Sequence, residues 1–165
     1  KSEGLGENLY WIVIGDGEDA EEMRARIADA ELGDHIAMLG EKMNPLPYVA
    51  ACDAFFLPSR FEGKPLAVTE AMVLGLPALV ARYASADEQI EDGADGMIAD
   101  NTQEGLTDML RSIAKEPQKI ASLRAETSSR NYDSLDRLRE VEQLIDAPAR
   151  GQTVSEDTGQ GGVVV

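Results

Sequence analysis

The sequence predicts a doubly wound α/β fold, a parallel sheet with helices packed on both of its faces. Three observations carry that prediction. Short apolar runs of strand character recur along the chain, separated by longer segments whose apolar residues repeat at helical spacing. Glycine and proline stand at the joints between the two kinds of segment. Composition agrees: 43% of residues are hydrophobic but only 5% aromatic, which suits α/β layers better than a β-sandwich leaning on aromatic strands.

The elements follow in order. Leu9-Tyr10-Trp11-Ile12-Val13-Ile14 reads as a buried strand, ended by the turn Gly15-Asp16-Gly17. From Glu18 to Leu32, Met23, Ile27 and Leu32 fall on one helix face among charges. Ile36 to Leu39 is a second strand, closed by Gly40. Residues 46–52 predict a short helix, and Ala54-Phe55-Phe56-Leu57 a third strand stopped by Pro58. Pro65 to Leu74 is a helix with proline in its first turn and Gly75 as its stop. Pro77 to Ala81 is a fourth strand, residues 86–91 a helix, and Met97-Ile98-Ala99 a fifth strand. Amphipathic helices are expected at 103–114, 117–130 and 133–146. Strands alternating with helices must pair in parallel, because the crossovers return the chain to the same end of the sheet.

Length and charge bound the function. The 165 residues suffice for about one domain, expected to span 1–147. Residues 148–165 read as a flexible tail, too polar to offset their ordering entropy, with Val163-Val164-Val165 too short to anchor in anything. Lys1 to Asn8 is polar and carries no strand, so the first β-α unit of the sheet is expected to be missing. The formal net charge of −16 argues against nucleic acid as a partner and against this piece lying on anionic lipid. Cys52 is the only cysteine and His35 the only histidine, so neither an internal disulfide nor a Cys/His zinc site is expected. Cys52 reads as a small buried hydrophobe, and His35 as a surface loop residue. No signal peptide or apolar stretch of membrane-spanning length stands out, which predicts a soluble cytoplasmic domain without membrane insertion.

In open α/β sheets, ligands bind where strands run into helices. The most unusual such loop here is Pro58-Ser59-Arg60-Phe61-Glu62-Gly63-Lys64-Pro65-Leu66. Gly63 lets a ligand approach the main chain, and the N–H groups of Gly63, Lys64 and Leu66 lie at the positive end of a helix. Lys64 adds a formal charge. Glu70 falls roughly 7 to 8 Å further along the axis. A carboxylate beside an anion site fits a ligand with neutral hydroxyls to offer. That suggests hexose hydroxyls on Glu62, ribose hydroxyls on Glu70, and a diphosphate between them.

Glu62-Gly63-Lys64-Pro65-Leu66-Ala67-Val68-Thr69-Glu70 resembles the Glu-x7-Glu motif of retaining glycosyltransferases of family 4, which have the GT-B fold. The flanks resemble that family too: Ile14-Gly15-Asp16-Gly17, Met38-Leu39-Gly40, Asn44-Pro45, Cys52-Asp53, Pro58-Ser59, Glu70-Ala71-Met72, Gly75-Leu76-Pro77 and Asp92-Gly93-Ala94-Asp95-Gly96-Met97-Ile98. The ordered series runs from about Leu9 to Leu110, and its wording is similar to members acting on capsular or cell-wall polymers. The resemblance implies the C-terminal, donor-binding domain of such an enzyme. Glu62 would contact the transferred sugar, Glu70 the ribose, and Gly63 to Leu66 the diphosphate. Glu41 and Lys42 would border the base, which is expected to be uridine, and Gly15 and Gly17 would line the cleft floor. Ser59 and Arg60 are further donor contacts, Arg60 either exposed or reaching the diphosphate. The family transfers the sugar with retention, and its leaving group is stabilised by positive charge and helix N–H groups, with no metal or other cofactor expected. Glu62 and Lys64 are the catalytic candidates, and an N-terminal acceptor-binding domain is the implied partner. Two departures stand out. Pro65 has no N–H, and the basic pair that family members carry near the first strand of this domain has no counterpart.

The same residues also admit blander readings. Glu62 and Glu70 would otherwise be a helix-start charge and a solvated face residue, Lys64 a surface lysine, and Gly15-Asp16-Gly17 a plain turn. The acidic runs at 16–22 and 87–95 read as solvated faces, and Met72, Met97 and Met109 as core fillers. Two rival functions remain. A nucleotide-sugar epimerase of the same architecture would need acid/base groups near the sugar. A response-regulator-like module would need an acidic cluster at strand ends with a downstream Thr and Lys.

Overall fold

The computed structural model describes residues 9–132 and a short strand at 163–164. Among the described residues strands alternate with helices up to β5, two helices follow, and a short strand closes the series: β1 (Leu9–Ile14), α1 (Ala20–Asp29), β2 (Ile36–Gly40), α2 (Leu46–Ala50), β3 (Phe55–Leu57), α3 (Leu66–Val73), β4 (Ala78–Ala81), α4 (Ala86–Gln89), β5 (Gly96–Ala99), α5 (Gln103–Lys115), α6 (Gln118–Ser129) and β6 (Val163–Val164). Every strand pair is parallel, as the alternation of elements requires. The expected helix at 133–146 lies outside the described residues.

The pairing is divided. Strands run β2-β1-β6 in one sheet and β3-β4-β5 in the other. The first register puts Trp11 opposite Ile36 and Val13 opposite Met38, with an irregularity before Ile14; the second puts Phe56 opposite Leu79 and Val80 opposite Ile98. The expectation that the closing valines anchor in nothing is corrected. Val163 pairs with Leu9 and Val164 with Tyr10, because the edge of β1 turned away from β2 offers unpaired backbone groups to a β-branched segment.

Strand alternation explains the core. Residues 78–81 of β4 are all fully buried, so both faces of this strand are covered. Leu79 faces a cluster with Ala54, which precedes β3, and with Met109, Ile113, Ile120 and Leu123, supplied by α5 and α6. Ala78 and Val80 face the opposite cluster with Val68, Met72, Ala86 and Ile90, supplied by α3 and α4. Trp11 packs against the first cluster and meets Phe56 edge-on, ring centroids 5.1 Å apart, so an aromatic contact joins the two sheets. Of the three methionines read as core fillers, Met72 and Met109 are buried and Met97 packs partly buried against the first cluster.

Helix ends obey local chemistry. Gly75 stops α3 with φ of 77°, its N–H bonded to the Met72 carbonyl at 3.0 Å, a left-handed stop that a side chain would strain. Thr102 caps α5 by accepting the Gly105 N–H at 3.0 Å. Helix α1 is shorter than its apolar spacing suggested, since the chain turns left-handed at Glu31. One expectation about charge fails. Asp95, read as part of a solvated run, is 2% exposed. Its Oδ1 accepts the Glu91 N–H at 2.8 Å, and its Oδ2 accepts the Arg130 guanidinium and the Tyr132 hydroxyl, each at 2.9 Å. Thr127 donates to the Asp95 carbonyl at 3.1 Å, so the entry to β5 is tied to the end of α6. Burial, followed by the Asp95 bond and charge, pushes the Tyr132 hydroxyl pKa above its ordinary value.

Candidate functional site

The carboxyl ends of β1, β3, β4 and β5 bring the candidate residues together. After β3, Pro58 breaks the strand and residues 58–65 cross toward α3, which begins at Leu66 with Pro65 extended at its cap (φ −65°, ψ 122°). Three side chains from beyond β4 and β5, Gln89 from α4 and Ser85 and Asn101 from loops, hold this crossing by its carbonyls. The Asn101 amide donates to the carbonyls of Ser59 at 3.3 Å and Arg60 at 3.0 Å, and to Arg82 at 3.0 Å. The Ser85 hydroxyl donates to the Gly63 carbonyl at 2.5 Å. Gln89 Nε2 donates to the Pro65 carbonyl at 3.2 Å and to Thr69 Oγ1 at 3.0 Å, while the Tyr83 hydroxyl donates to Gln89 Oε1 at 2.8 Å.

Of the cavities that border the crossing, two take in Glu62 and Glu70, one each. One, of about 600 Å³, runs between β1 and β3 and takes in Gly15, Glu41, Lys42, Pro58 and Glu70 around an apolar base that includes Ile12 and Phe56. Lys42 is steadied over the Tyr48 ring at 5.7 Å. The other, of about 730 Å³, is lined by Arg60, Glu62, Gly63, Arg82, Tyr83 and Asp87. Arg82 and Asp87 form an exposed ion pair at 2.6 Å. Burial, and then the nearby charge of Glu62, push the Tyr83 hydroxyl up to about 12, so at neutral pH it keeps the proton it donates to Gln89.

Glu62 and Glu70 are each half-buried but line different cavities. Gly63 lines one and Ala67 the other, so residues 64–66 link them along the chain, and Lys64 and Leu66 are both exposed. A Cβ at Gly63 would meet nothing within 4 Å, which leaves the approach to its main chain open. Gly17 is exposed and Ser59 half-buried, and neither lines these two cavities. Among the described residues no three His, Cys, Asp or Glu side chains gather to hold a metal ion.

Other residues behave as structure. Cys52 is buried, its thiol donating to the Tyr48 carbonyl at 3.2 Å, and burial with the neighbouring Asp53 pushes it up to about 11. His35 lies in the turn before β2, a loop position as expected, but it is half-buried rather than on the surface: it stacks on Tyr10 at 5.3 Å and bonds the Leu9 carbonyl through Nδ1 at 3.2 Å. Sequence reasoning missed Tyr83, Ser85, Gln89 and Asn101. Their position was the available signal, since Tyr83 and Asn101 each stand two residues past the end of a strand, where sites of this fold gather.

A family model, Glycosyl transferases group 1, matches residues 1–132. This chain belongs to the group 1 glycosyl transferases. Among curated group 1 relatives, the amylovoran biosynthesis glycosyltransferase of Erwinia amylovora is 32% identical over 97 residues, covering 54% of this chain and 24% of that protein. The Escherichia coli UDP-Gal:alpha-D-GlcNAc-diphosphoundecaprenol alpha-1,3-galactosyltransferase is 32% identical over 90 residues, covering 53% of this chain and 23% of that protein. The chain thus spans about a quarter of the length of these relatives. In three dimensions it is similar to the crystal structure of Anabaena HepE in complex with UDP, with a TM-score of 0.65 at 22% identity over 83% of this chain and 39% of that one. That likeness establishes the GT-B type of α/β fold for this group 1 chain. No helix among its described residues is long and apolar enough to cross a membrane.

Proposed function

We propose that this group 1 chain is the donor-binding part of a retaining, family 4-like hexosyltransferase that takes a UDP-sugar and serves cell-surface polysaccharide or glycoconjugate synthesis. The carrying observation is the pair of cavities linked along the chain by residues 64–66 at the start of α3, with Glu70, Glu41, Lys42 and Gly15 on one side and Glu62 and Arg60 on the other. Support for the uridine nucleotide and the polymer comes from the two curated relatives, one named for amylovoran biosynthesis and one for a UDP-Gal donor, and from HepE, solved with UDP and with UDP-glucose.

In this reading Glu70 accepts the ribose hydroxyls, and Glu41 and Lys42 border the base. The diphosphate rests on the amides at 63–66, and Glu62 accepts hydroxyls of the hexose. As the anomeric bond breaks, negative charge grows on the diphosphate. Lys64 and the amides of a helix start stabilise it without a resident metal. Acceptor contacts come from a partner domain, and the reaction is assigned to the cytoplasm.

Titration with UDP, followed by ligand-observed NMR, tests the reading. The expected result is a weak, saturable response that Glu70→Ala abolishes and that a chelator leaves unchanged. Absence of any response to millimolar UDP, or an undiminished response from Glu70→Ala, overturns it.

A further inference from the structure

We propose that Ser85 and Gln89 are positioning residues that aim the main-chain N–H groups of Lys64 and Leu66 at the ligand's phosphates, a refinement that rests on the donor-site reading above. A trans peptide is planar, and its C=O points opposite to the N–H of the next residue. No cis peptide bond occurs among the described residues. Ser85 holds the Gly63 carbonyl, so the Lys64 N–H points away from Ser85. Gln89 holds the Pro65 carbonyl, so the Leu66 N–H points away from Gln89.

Ser85 caps α4 and Gln89 closes its single turn, four residues on, so both reach out from the same helix face. Two carbonyls drawn to one side leave two amides on the other. Neither the Lys64 nor the Leu66 amide donates to another group among the described residues, so both are available. Pro65, which lacks an N–H, sits between them. The departure noted in the sequence therefore leaves a pair of donors, one on either side of a residue that has none.

The Gln89 amide is itself oriented. Its oxygen accepts the Tyr83 hydroxyl, and its nitrogen divides two protons between the Pro65 carbonyl and Thr69. Tyr83 retains its proton across the physiological range, so the orientation does not lapse with pH.

The test compares UDP with uridine, which lacks the phosphates, on the 165-residue chain and its Ser85→Ala, Ser85→Thr and Gln89→Leu variants. Amide shifts of Lys64 and Leu66 are read alongside affinity. Ser85→Ala and Gln89→Leu should each weaken UDP about tenfold, the scale of one lost charge-assisted hydrogen bond, leave uridine unchanged and move the amide resonances. Ser85→Thr, which keeps the hydroxyl, should restore UDP binding. If Gln89→Leu does not fold, the Ser85 pair carries the test alone. UDP affinity unchanged in Ser85→Ala, or UDP and uridine weakened equally, overturns the positioning role. Failure of the unaltered chain to bind UDP instead overturns the donor-site reading itself.

Discussion

Single residues divide by how far away their partners lie. Glu62, Gly63, Lys64 and Glu70 stand out in the sequence because the pattern they form lies within nine consecutive residues. Asn101 was not, because its partners are the carbonyls of Ser59 and Arg60, some forty positions earlier in the chain. Asp95 was misread for the same reason: its charge is met by Arg130 and Tyr132, which nothing in the local run announces. Gly96 shows the same logic in steric form. A Cβ built there would lie 2.2 Å from the Ala78 carbonyl oxygen and 2.8 Å from Ile90 Cγ2, and backbone cannot yield as a flexible side chain can. Gly96→Ala should therefore cost about 1 to 3 kcal/mol, the range for overpacking a tight interior. Urea denaturation reads this as a lower midpoint at unchanged slope.

At the scale of elements, strands and helices were legible almost throughout, because burial on both faces writes apolar runs and amphipathic spacing directly into the sequence. Ends were less so: α1 stops early at a left-handed Glu31, and α4 is a single turn where six helical residues were expected. The joint between β5 and α6 hangs on the Asp95 carboxylate. Asp95→Ala removes the acceptor for the Glu91 N–H and the buried end of the Tyr132 hydroxyl, leaving both to find water in a site that is nearly closed. The expected loss is about 2 to 3 kcal/mol, the desolvation penalty of stranded donors. Hydrogen exchange should localise it, with faster exchange at Glu91 and along α6 and little change in β1. A uniform acceleration across the chain would contradict a local joint.

For the whole molecule, pH offers a direct reading of the interior. Burial raises the Cys52 thiol from 9.0 to about 11 and the Tyr83 hydroxyl from 10.0 to about 12, and it raises Tyr132 as well. Each group stays protonated in the folded chain at pH values where the unfolded chain has released its proton. The unfolded state then binds fewer protons, so stability falls as pH rises. The stability these groups contribute is fully present below about pH 9 and is lost from there to about pH 12. Urea midpoints at pH 8 and pH 11 check this, and Cys52→Ala should flatten the portion between 9 and 11. The overall architecture was legible as one parallel sheet, but its division was not, because strand order depends on contacts between segments that no local pattern encodes. That division has a mechanical meaning. β4 is hydrogen-bonded along both edges, whereas β1 pairs with β2 from Trp11 to Ile14 and is met at just Leu9 and Tyr10 on the other edge. Under load the molecule should part along the seam between β1 and β3, the 9–40 portion peeling off as one flap and uncovering Trp11 and Phe56, while the portion around β4 keeps its shape.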